Sequence, residues 1–177
     1  GQGTADMGAA LDHLRANAAR YGIDPDRVAL WGCSMHVREG LAFDRCHVAV
    51  VTNIGEGDQL GLNYITTVED LSVLKRTIVA NVAETGYAVL NAADPHTLAM
   101  AAACPGQVIL FATDPRLSAL AAHRALGRRV LTVDGGDIVA FDGSARARMP
   151  LAQIPLTRGG RIGFQVENAL AAAGAAW

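Results

Sequence analysis

Residues 47–58 read HVAVVTNIGEGD, and this stretch decides the fold. Residues 47–54 form a continuous β-branched run, the pattern of a strand covered on both faces in a parallel sheet. A glycine-rich loop follows over 55–61. Beyond it, residues 67–83 place Val68, Leu71, Leu74, Ile78 and Val82 on one face of a helix. Further strands are expected at 87–91, 108–112 and 130–133. Helices at 95–103 and 115–126 separate them, the first started by Asp94-Pro95 and the second closed by Gly127. Working back from residue 47, a short helix or loop is expected at 37–43 and a buried strand at 28–31. A turn lies at Asp24-Pro25-Asp26, and a helix over 6–21 is capped by Thr4 and ended by Gly22.

Strand and helix alternate from about residue 28 to 133, which predicts parallel strands joined by right-handed crossovers. The pattern then changes. Asp134-Gly135-Gly136-Asp137 reads as a hairpin turn, with antiparallel strands at 138–141 and 147–154 and a closing helix at 164–176. The expected fold is a three-layer α/β domain with a mostly parallel sheet and a short antiparallel extension.

Composition narrows the function. Of 177 residues, 51% are hydrophobic and 18% charged, which excludes disorder. The net charge of −2 leaves no basic stripe, and aromatics at 5% supply no stacking platform, so no nucleic-acid partner is expected. The longest apolar stretch, 169–177, is too short to span a bilayer. Cys33, Cys46 and Cys104 form no C-x-x-C pair, and no signal peptide opens the chain; free thiols in a reducing cytoplasm are expected. Gly1 and Trp177 read as cut ends. Of fifteen basic residues, only Lys75 is a lysine.

The segments REGLAFDRC (38–46), HVAVVTNIGEGDQLGL (47–62), YAVLNAADP (87–95), CPGQVILF (104–111) and IPLTRGGRIGFQVENALAAAGAAW (154–177) together resemble the Mur-ligase-like, ATP-dependent half of the cyanophycin synthetases. The resemblance covers residues 37–177 and implies a Mur ligase central domain. It implies activation of a carboxylate as an acyl phosphate with ATP and Mg²⁺, then coupling to an amine. Arginine, and aspartate or a cyanophycin primer, are the implied partners.

Residues 1–36 differ in kind. DMGAALDHLRANAARYGIDPDRVALWGCSMH (6–36) resembles the segment of α/β-hydrolases that leads into the nucleophile elbow. Here the elbow runs Gly32-Cys33-Ser34-Met35-His36, with histidine in place of the final glycine. The seam between the two resemblances falls near 36–37. Ser34 is the nucleophile of this alternative reading, with Asp94–His123 or Asp114–His123 satisfying the chain order of a triad. A non-catalytic fusion is the third reading.

No G-x-x-x-x-G-K-[ST] loop occurs, so in the ligase reading the triphosphate has no lysine cradle here and the chain is expected to be catalytically incomplete. Glu56 and Asp58 are the metal candidates, weakened because Gln59 stands where the family has a histidine. Lys75 falls on the position of the family's carbamylated lysine. Thr52 and Asn53 end the main strand beside the nucleotide. Asn91 ends the next strand, in a motif where Ala93 replaces a family aspartate, and Asp94 caps the following helix. Gln165 and Asn168, one helical turn apart, match the family's adenine pocket; Phe164 flanks the base and Arg161 meets phosphate. The histidines at 36, 47, 96 and 123 show no ligand spacing and are expected at surface or cap positions, and His13 has no evident partner. A missing upstream strand would leave an exposed edge or apolar face, so self-association into a homo-oligomer is expected.

Overall fold

The computed structural model describes residues 2–22, 24–26, 41, 44–55 and 64–177, with residues 2–7 described by their backbone only. The strand expected at 28–31, the elbow with Ser34, the 37–43 segment apart from residue 41, and Glu56, Asp58 and Gln59 lie outside the described residues. The backbone divides into two units, Gly1–Arg45 and Cys46–Trp177.

In the first unit, α1 (Gln2–Ala16) and α2 (Ala18–Tyr21) replace the single helix expected over 6–21. The division falls at Asn17, whose side-chain amide donates to His13 O at 2.9 Å beside its own backbone N–H at 3.1 Å, so two donors share one carbonyl. Thr4 lies inside α1 and is not its cap. Gly22 closes α2 in the left-handed region, φ 66°. His13 has a partner after all, its Nε2 lying 3.0 Å from Tyr21 Oη. Asp24 Oδ1 accepts from Asp26 N at 2.9 Å, forming the expected turn.

The second unit is built on one six-stranded sheet whose spatial order follows the chain: β1 (Cys46–Val51), β2 (Val82–Asn91), β3 (Gln107–Ala112), β4 (Val130–Asp134), β5 (Asp137–Asp142) and β6 (Ala145–Pro150). The first four are parallel and the last two antiparallel, as expected. The parallel pairs are joined by α3 (Val68–Ala80), by α4 (Pro95–Ala99) with the 3₁₀ turn Met100–Ala103, and by α5 (Ser118–Ala125). All three connections cover one face. Leu71, Val79, Met100 and Leu120 pack there on Ala49, Val51, Ala88, Leu90, Leu110 and Val130.

The alternate strand residues Val89, Ile109, Phe111 and Leu131 point to the other face, where α6 (Gly163–Ala176) buries Val166 and Leu170 against them. The period-2 alternation of each strand thus divides the core into two layers. Gly174 brings α6 close: a Cβ there would stand 2.6 Å from Val89 Cγ1.

Several boundaries move. The helix expected to 83 stops at Ala80, where Asn81 caps it by donating from Nδ2 to Thr77 O at 2.7 Å. Val82 already belongs to β2. The helix expected from 115 begins at Ser118, because Asp114 Oδ1 accepts from Arg116 N at 2.9 Å and holds the chain in a turn. The last strand ends at Pro150 and not at 154, giving way to 3₁₀ turns at Leu151–Gln153 and Pro155–Thr157. The hairpin between β4 and β5 turns on Gly135 and Gly136, φ 61° and 86°, the positive pair that a two-residue loop of matching twist requires.

The strand that decided the fold is placed differently from its reading. β2, not β1, is covered on both faces, with Ala88, Val89 and Leu90 fully buried. In β1, Val48 and Val50 remain 39% and 38% exposed, since β1 lies at the end of the described sheet and α6 covers its centre. At the opposite end, all of β6 is exposed, and Arg146, Arg148 and Pro150 make it a poor template for further pairing. No helix among the described residues is long and apolar enough to cross a membrane.

Candidate nucleotide site

The carboxyl ends of β1–β4 share one edge of the sheet, where ligands of open α/β folds gather. At the exit of β1, Thr52 Oγ1 donates to Asn53 Oδ1 at 3.1 Å, and Asn53 is exposed. At the exit of β2, Asn91 is buried, 5% exposed, and its Oδ1 accepts from Ala93 N at 2.9 Å. That bond spends Asn91 Oδ1 on a turn. Asp94 then ties the two exits together. Oδ1 caps α4 by accepting from His96 N and Thr97 N at 2.8 and 3.1 Å, and Oδ2 accepts from Ile54 N at 2.6 Å. The sequence signalled the cap through the following proline; the tie to Ile54, 40 residues away, had no local signal.

The direction of α6 follows from its far end. Trp177 meets Arg129, the residue before β4, whose guanidinium carbon lies 4.8 Å from the Trp177 ring and 5.1 Å from the Tyr87 ring. The carboxyl end of α6 therefore sits at the amino edge of the sheet. Its first turns point towards the carboxyl edge.

The approach to α6 is a compact turn pinned by Thr157, which is fully buried. Its hydroxyl lies 3.0 Å from Leu151 O and 2.8 Å from Ile154 O, and it accepts from Gly160 N at 3.3 Å. Arg158, Gly159 and Gly160 all hold positive φ, at 48°, 67° and 87°. Sequence reading missed Thr157, although the Gly159-Gly160 pair marks the turn. The N-cap, Ile162, makes no side-chain cap; its carbonyl accepts from Gln165 N and Val166 N at 3.0 and 3.1 Å, closing the first turn.

On this turn stand the residues expected there. Phe164 is 65% exposed. Asn168 Nδ2 donates to Gln165 Oε1 at 3.2 Å, so the two amides share a face as their spacing predicts. Arg161 is exposed, and its Nε donates to Arg158 O at 3.2 Å.

Lys75 lies on α3, four residues from buried Leu71 and four from buried Val79, on the row that faces the sheet. It is half-buried. Among the described residues no group of three His, Cys, Asp or Glu side chains gathers as for a metal ion.

Of the alternative triads, Ser34 lies outside the described residues, and the hydrogen bonds of the other members go elsewhere. His123 is buried, 8% exposed, and its Nε2 donates to Val108 O at 2.8 Å. It is not at the surface or cap position expected of it. Burial lowers its pKa and nearby Arg128 lowers it further, while the Val108 carbonyl works the other way. Asp94 is engaged as above, and Asp114 pairs with Arg116 Nε at 3.0 Å. Cys46 and Cys104 are free thiols whose pKa values burial raises, so neither is a ready nucleophile.

The family described as Mur ligase middle domain matches residues 32–176. Curated relatives are cyanophycin synthetases: that of Synechocystis sp. is 39% identical and that of Crocosphaera subtropica 37%, each over 142 residues. A third, from Geminocystis herdmanii, is 36% identical over the same length. Each match takes in 80% of this chain and 16% of the relative, so the chain spans about a sixth of the length of the proteins it resembles.

Proposed function

Since the chain belongs to the Mur ligase middle-domain family, whose members are ATP-dependent, we propose that its carboxyl edge binds the nucleotide for an acid–amine ligase of cyanophycin synthetase type. In such a reaction a carboxylate oxygen attacks the γ-phosphorus and ADP leaves. An amine then attacks the acyl carbon and phosphate leaves. Arginine as the amine, and an aspartate side chain of a primer as the acid, are the substrates this reading assigns.

The observation that carries the reading is the Asn168–Gln165 pair at the start of α6. Their mutual hydrogen bond leaves Gln165 Nε2 and Asn168 Oδ1 unused by each other, a donor beside an acceptor. Adenine presents the complement, an amine donor beside a ring-nitrogen acceptor. Exposed Phe164 offers a ring for the base. Arg161 and the N-terminus of this 14-residue helix offer positive charge to phosphate. Asn53 borders the same edge.

Lys75 is assigned the role of a lysine that takes up carbon dioxide on its neutral amine, turning a cation into an anion that positions charge near the phosphates. Glu56 and Asp58 are assigned to Mg²⁺. The described residues offer no metal cluster of their own. The sequence also holds no lysine-bearing phosphate loop. Phosphoryl transfer depends on positioning and on neutralising the triphosphate, so this chain is expected to bind nucleotide without turning it over. Titration of the chain with Mg-ATP tests the reading, and absence of binding by folded protein would remove it.

A further inference from the structure

We infer that Asp94 is a positioning residue: its carboxylate fixes where the chain leaves β1, and nucleotide affinity acts through it. The inference rests on the nucleotide reading above. The two carboxylate oxygens have separate duties. Oδ1 accepts from His96 N and Thr97 N and caps α4. Oδ2 accepts from Ile54 N at 2.6 Å.

Both ends of this tie are themselves held. Asp94 follows the turn closed by Asn91 Oδ1 and Ala93 N, which sets its height above the sheet. Ile54 is 7% exposed and its side chain joins the core under α3. Asn53 is caught between the end of β1 and this anchor, exposed and paired with Thr52. A binding group set on a loop is useful only when something rigid determines where it stands. Here one carboxylate fixes the exits of two neighbouring strands relative to each other.

Asparagine separates the two duties. It caps helices as well as aspartate does, but carries one acceptor oxygen. With that oxygen on the α4 amides, Asp94→Asn turns its NH₂ toward Ile54 N–H, donor against donor. Asp94→Ala removes both duties. The experiment measures amide hydrogen exchange, melting temperature and Mg-ATP affinity in the full chain and in both variants.

For Asp94→Asn, the Ile54 amide is expected to exchange about tenfold faster or more, while His96 and Thr97 amides keep their protection. Mg-ATP affinity falls by about fivefold or more at nearly constant melting temperature, because a displaced binding group costs affinity without unfolding the domain. Asp94→Ala exposes the α4 amides as well. Unchanged Ile54 exchange in Asp94→Asn overturns the inference, as does faster exchange with unchanged affinity. If the parent chain binds no Mg-ATP, the nucleotide reading fails on its own. Ile54 exchange then decides alone: lost protection upholds the positioning role and retained protection overturns it.

Discussion

Asn168 donates a side-chain hydrogen bond to Gln165 across one turn at the start of α6, 3.2 Å from Nδ2 to Oε1. The bond fixes the relative orientation of the two amides, so the donor and acceptor they leave outward come as a set. A guanine edge presents different donors and acceptors from adenine in the same places. GTP is therefore expected to bind more weakly than ATP, by about fivefold to a hundredfold, since a bidentate pair discriminates by roughly 1–3 kcal/mol. Competition between the two nucleotides for the chain checks this.

His123 makes stability depend on pH. Its folded pKa lies below the ordinary value of 6.5, chiefly through burial. Above that value the side chain is neutral in both folded and unfolded states, and its contribution is complete. As pH falls, the unfolded chain takes up the proton first, so stability is lost from about 6.5 downward until the folded pKa is passed. The melting temperature should drop between pH 7 and pH 5. His123→Gln, which keeps a donor for Val108 O but does not titrate, should flatten this part of the profile.

Thr157 is fully buried, and its hydroxyl serves Leu151 O, Ile154 O and Gly160 N. Thr157→Val keeps the shape and removes the oxygen, leaving buried backbone groups without a partner. A loss of about 1–3 kcal/mol in chemical denaturation is expected. Because this turn aims the first residues of α6, Mg-ATP affinity should fall with it.

Gly174 sets the approach of α6 to the sheet, with Val89 Cγ1 2.6 Å from where a Cβ would stand. Val89 is fully buried and β-branched, so it has little room to turn aside. Gly174→Ala should cost about 1–3 kcal/mol by overpacking, despite alanine's better helix propensity. Denaturant unfolding measures it.

The architecture was legible because the apolar runs and their turn residues mark strands and crossovers locally. Gly135-Gly136 announced the hairpin, and Asp94-Pro95 announced α4. What escaped depends on tertiary placement. Residues 47–54 have the composition of a strand covered on both faces, yet Val48 and Val50 stand exposed, because coverage depends on where α6 lies. Asn81 and Asp114 shifted helix ends through single side-chain bonds that compete with the helix pattern. At the site, the shared face of Gln165 and Asn168 follows from their spacing. The tie from Asp94 to Ile54 and the depth of His123 do not, since each joins residues distant in sequence. Ordering Asp94 and His123 along the chain as triad members could not reveal that their hydrogen bonds go elsewhere.

The central claim is that the start of α6 reads a nucleotide, and calorimetric titration with Mg-ATP tests it most directly, comparing the chain with Asn168→Ala. The account predicts measurable binding by the parent chain and a loss of about tenfold or more in the variant, with the fold of both intact. Folded protein that releases no heat and gains no thermal stability with Mg-ATP, or equal binding by the parent and Asn168→Ala, would contradict it.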